Sequence, residues 1–142
     1  MISNLGALLC QRGVWLFLLG LLTGLGQGVY RNPRVGLSAH LAGVQSGIAL
    51  MAFGLIWPQL GISPGWGPLV AHTLWLSFYA IWFALVLAAF FGASKVLPIA
   101  GKGFNAKPWQ EALVSTLMIA GSLACIVAVA AVLALWQSPS RI

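Results

Sequence analysis

Two histidines, one carboxylate and two cysteines are the side chains here that could carry chemistry: His40, His72, Glu111, Cys10 and Cys125. The list excludes a good deal. The cysteines lie far apart with no CxxC or CxxCH spacing, so neither a disulfide framework, a zinc site nor a covalently attached haem is indicated. A single acid cannot help assemble a multi-ligand zinc or calcium site. A porphyrin brings its own equatorial nitrogens and asks the protein for only one histidine. His40 is the candidate for that ligand, acting through a neutral imidazole. Beside it Ala39, Gly43 and Gly47 recur at intervals of four, flanked by Ala42 and Ser46, so one helix face is nearly bare backbone. That face has two readings. Small residues let two spans approach closely, with the histidine bonded to a neighbour, or they leave room for a large flat group.

Positioning these residues requires elements that the composition identifies. Of 142 residues, 61% are hydrophobic and only 6% charged, with a mean hydropathy of +0.99, which excludes a water-soluble domain. The expected fold is an all-α membrane bundle, a single domain over residues 1–142. Its four spans are expected at about 13–30, 37–57, 68–91 and 109–136, since lipid cannot satisfy open backbone groups. Arg12 and Asn32-Pro33 punctuate the first run, Ser38 is the expected cap of the second, and Pro58 stops it. The first run lacks a small-x-small cleavage site and is expected to stay in the mature protein.

The net charge of +6 comes from basic residues set singly at the ends of apolar runs, a membrane pattern rather than a nucleic-acid face. Arg31, Arg34, Lys95, Lys102 and Lys107 fall after the first and third spans, whereas Arg12 and Arg141 fall elsewhere. The positive-inside rule then places both termini outside. With spans two and three antiparallel, His40 lies ~5 Å inside one surface and His72 ~9 Å inside the other, so their heights differ by ~15 Å. One haem in a single chain cannot take both. An open position opposite one protein ligand follows, and His72 is left with a structural or second-pocket role.

The same height argument gathers Gln27, Tyr30, Gln45, Ser46, Glu111 and Ser115 toward the His40 surface. Glu111 in a first helical turn is explained by the helix dipole, and its alternative is proton transfer or support of an active site. Tyr79, in mid-span, must find a partner for its hydroxyl. Packing with Trp82 is one reading, a hydrogen bond to substrate the other.

The stretch Asn32-Pro33-Arg34-Val35-Gly36-Leu37-Ser38-Ala39-His40-Leu41-Ala42-Gly43-Val44, with Gly47 and Gly54-Leu55-Ile56-Trp57, resembles the bacterial hydroxylaminobenzene mutases. Trp82 to Gly92, Pro98-Ile99 and Trp109-Gln110-Glu111 look like that family too, so the resemblance covers most of the chain. Ala39-His40 with Gly47 and the apolar run to Pro58 is similar to styrene oxide isomerase. The resemblance implies a bacterial inner-membrane homotrimer with ferric haem b near subunit interfaces. His40 would be the axial ligand, with Arg34, Gly43 and Gly47 beside the cofactor. It departs at Ser46, where these families usually carry Asn, and at Ala42, where the mutases often carry Glu. The implied reaction takes a small aromatic substrate, an aryl hydroxylamine, to a 2-aminophenol, with Gln45, Ser46, Tyr79 and Glu111 as catalytic candidates. Epoxide-to-aldehyde rearrangement, a haem-binding electron carrier and a small transporter are the alternatives. The transporter is disfavoured because proton-coupled export wants an acid within the membrane.

Overall fold

A computed structural model describes residues 4–137; Arg141 lies outside the described residues. Four long helices follow one another: α1 (Asn4–Leu25), α2 (Pro33–Ile56), α3 (Gly67–Phe91) and α4 (Pro108–Leu135). Short 3-10 turns, Gly26–Val29 and Trp57–Leu60, extend α1 and α2. All four helices are long and apolar enough to cross a bilayer, and many of their large apolar side chains are exposed, as lipid permits.

Two boundaries differ from the sequence expectation. α1 begins at Asn4, not near Gly13, because Leu5, Leu8 and Leu9 continue its apolar pattern. Arg12 is therefore within a helix, not at its edge. α2 begins at Pro33, with the Asn32 side chain accepting from the backbone of Arg34 (3.1 Å) and Val35 (3.3 Å). Ser38 is no cap; it donates back to the Arg34 carbonyl within the helix.

α1 and α2 make the tightest pair. A Cβ on Gly43 would sit 2.6 Å from the Gly20 Cα, and one on Gly47 would sit 2.6 Å from the Phe17 nitrogen. Gly13 likewise meets Gly47 and Met51, and Gly54 meets Gly6 and Cys10. Only residues without side chains allow backbones this close. α3 closes against the pair with Ala71, Leu74, Leu85, Ala88 and Ala89, and α4 adds Val114, Ala128 and Val132 from outside.

The face carrying the α1–α2 turn and the α3–α4 loop is pinned by polar groups. Fully buried Asn32 donates its side-chain amide to the Ala100 carbonyl and its backbone N–H to the Ala89 carbonyl. Arg31 donates to the Phe91 carbonyl, satisfying the end of α3. Gly92, at φ +73°, ends α3 in the left-handed conformation that suits glycine.

Candidate functional site around His40

His40 lies under the surface that carries these loops, half-buried against α1. Its Nδ1 is 2.8 Å from the Gly20 carbonyl oxygen. A carbonyl only accepts, so Nδ1 carries the proton and the neutral ring presents a lone pair on Nε2. Nε2 has no partner among the described residues. This is the outer-shell arrangement that fixes the tautomer and orientation of a metal-binding imidazole. Gly24, one turn beyond Gly20, makes the contact possible, since a Cβ there would lie 2.6 Å from Nδ1.

The ring borders a cavity of about 480 Å³, lined by Leu21, Gly24, Leu25, Gln27, Leu37 and His40. It opens on the outer surface of the bundle, where Leu21, Leu25 and Leu37 are exposed. Gln27 contributes a buried side-chain amide nitrogen with no hydrogen-bond partner. An enclosed donor beside an unoccupied lone pair is a binding feature. The sequence placed Gln27 at this height but offered no signal that its amide would be orphaned.

Neighbouring groups hold the frame. Thr23 donates to the Leu19 carbonyl and accepts from Trp82 Nε1 at 3.2 Å, tying α1 to α3. Tyr30 donates to the Thr23 carbonyl at 3.0 Å. Burial raises its phenol above the ordinary value, against the pull of that hydrogen bond, so at neutral pH it is a donor.

The other expected site residues scatter. Gly43 and Gly47 face α1, so their bareness is filled by helix contact and not by a cavity. Arg34 turns to the α3–α4 loop, donating to the Lys102 carbonyl and lying 5.9 Å over the Phe104 ring. Gln45 and Ser46 point about 140° and 120° away from His40, to either side of the α2 axis, and line no part of its cavity.

Glu111 stands in the first turn of α4, where the helix-dipole reading has it. Its carboxylate accepts the backbone N–H groups of Ser94, Lys95 and Ala106, at 3.0 to 3.3 Å, and so ties the loop to α4. Tyr79 likewise spends its hydroxyl on the Arg12 carbonyl at 2.8 Å, and packs edge-on against Trp75. On α1 that carbonyl lies about 12 Å along the axis from Gly20, too far for Tyr79 to share the His40 cavity. His72 belongs to the opposite half, where Nδ1 is 2.7 Å from the Pro68 carbonyl of its own helix.

The fold and this site define a class: a four-span membrane protein with an oriented imidazole facing a cavity that opens on the outer surface of the bundle. Among the described residues no group of three or more His, Cys, Asp or Glu could hold a bare metal ion. The family model for styrene oxide isomerase matches residues 5–137, and the chain belongs to that family. It is 44% identical over 137 residues to hydroxylaminobenzene mutase HabB of Ectopseudomonas oleovorans, covering 94% of this chain and 82% of the relative. With hydroxylaminobenzene mutase HabA of the same organism the identity is 40% over 107 residues, 75% of this chain and 79% of the relative. Membership makes the chain an isomerase of the mutase type.

Proposed function

We propose that the protein converts aryl hydroxylamines to 2-aminophenols in a bacterial inner membrane, using a ferric haem b held by His40. The observation that carries this reading is the Nδ1 bond to Gly20, which leaves Nε2 as a fixed lone pair at the cavity. The residues fit the group: one nitrogen ligand, no competing ligand set, and an apolar wall of leucines. Bound haem would be held by His40 and would supply a Lewis-acidic iron at the cavity.

The reaction is an isomerisation. The N–O bond breaks, a C–O bond forms at the ortho carbon, and the ring proton from that carbon ends on nitrogen, so no outside oxidant or reductant is consumed. In this chain Leu21, Leu25 and Leu37 exclude water, which strengthens polar contacts inside the cavity. The Gln27 amide donates to the substrate heteroatom and orients it. Because the cavity opens on the bundle's outer surface, its far wall must come from elsewhere. A second copy in a homotrimer supplies it, and brings Gln45 and Ser46, which do not line the His40 cavity of their own chain, into reach of the same site.

Purified protein in detergent and its His40→Ala variant test this by visible spectrum and product analysis. The wild type shows a Soret band and forms 2-aminophenol from phenylhydroxylamine; the variant shows neither. A colourless wild type overturns the cofactor, and turnover of styrene oxide alone overturns the substrate.

A further inference from the structure

The half of the bundle opposite His40 contains a cation that no described acidic group neutralises. Arg12 lies about 12 Å along α1 from Asn4, inside the membrane-spanning stretch Asn4–Val29. Its guanidinium carbon is 4.9 Å from the centre of the Trp75 ring on α3. Tyr79 fixes that indole edge-on at 5.6 Å while donating its hydroxyl to the Arg12 carbonyl. Two donors here are buried and unpartnered: Arg12 Nε and Trp75 Nε1.

A guanidinium cannot shed its proton to escape burial, and an ionised group within a membrane span calls for a partner. The chain has one acid, Glu111. Its carboxylate is committed to three backbone N–H groups in the α3–α4 loop. A second copy of the chain offers the same acid in the same bonds, so it cannot supply a free side-chain carboxylate. The bilayer supplies phosphate, whose oxygens match the planar fork of arginine. We propose that Arg12 and Trp75 bind a phosphate oxygen of an anionic phospholipid where α1 meets α3. The guanidinium meets its charge and the indole N–H adds a second donor. An anionic headgroup is favoured over a zwitterionic one because no headgroup cation competes with Arg12.

The test titrates the full chain in detergent micelles with phosphatidylglycerol, phosphatidylcholine or inorganic phosphate, reading bound lipid by native mass spectrometry together with the melting midpoint. Phosphatidylglycerol is expected to bind and raise the midpoint, phosphatidylcholine to bind about fivefold more weakly, and inorganic phosphate at matched concentration to do neither. Arg12→Gln should weaken phosphatidylglycerol about tenfold. Trp75→Phe, which keeps a ring and removes the N–H, should weaken it about threefold. Unchanged lipid binding in Arg12→Gln overturns the proposal, as does protection by inorganic phosphate equal to that by lipid. So does an altered oligomer with lipid retained, which would assign Arg12 to a contact between copies. Should Arg12→Gln fail to fold, unchanged affinity in Trp75→Phe overturns the proposal instead.

Discussion

His40 and His72 are the same residue in the same tautomer, yet they stand in different physical situations. Each has Nδ1 on a backbone carbonyl, at 2.8 Å for His40 and 2.7 Å for His72. The acceptor of His72 is Pro68, one turn back on its own helix, so the bond forms wherever α3 forms. The acceptor of His40 is Gly20 on another helix. Its ring is aimed only once α1 and α2 have packed, and only because Gly24 leaves it space. A local bond fixes a rotamer; a tertiary bond fixes a nitrogen at a point in the fold. Pre-organisation of the second kind is what a site needs.

The largest expected effect removes the oriented nitrogen. In His40→Ala the Soret band and aminophenol formation should both fall to background, measured by absorbance and product chromatography. Next comes Gly24→Ala, which leaves every candidate chemical group in place. The new Cβ would lie 2.6 Å from Nδ1, so the ring must swing off Gly20 and lose its outer-shell bond. Loss of that kind of support typically costs about 10- to 100-fold in metal affinity. Haem titration of the apoprotein should show it, and an unaltered affinity would mean that orientation by α1 does not matter.

The comparison also explains what the sequence could and could not show. The four spans and the remoteness of His40 from His72 were legible, because apolar runs and rare polar residues are written locally. Arg12 as a helix boundary was not, since a charge at the edge of a run and a charge within a helix have the same spelling. The stripe Gly43 and Gly47 supported two readings, and partner geometry decided between them: Gly20 and Phe17 fill the space. The partners of Glu111 were not legible either, because Ser94, Lys95 and Ala106 are brought to it by a loop whose shape no periodicity encodes. Gln27 shared a height with His40, but its orphaned amide is a property of packing.

Gln27, which lines the cavity with His40, sharpens the contrast. Gln27→Leu should leave the Soret band unchanged and lower kcat/KM about tenfold, the worth of one hydrogen bond made to a polar substrate. The substrate-free protein should melt no lower than the wild type, because the change removes a buried donor that has no acceptor. A lower midpoint with undiminished turnover would make Gln27 a packing residue.

The smallest effect is expected at His72. Its ring is exposed and bonded within its own helix, with Trp75 at 6.3 Å as its aromatic neighbour. His72→Gln removes an imidazole without opening the core, so stability, haem content and kcat/KM should all stay within about twofold of the wild type. Both histidines could in principle donate Nε2 to iron. The one held by a different helix lines a cavity together with the orphaned amide of Gln27. A His72→Gln protein that lost its Soret band while His40→Ala kept it would reverse the assignment of the two ends of the bundle.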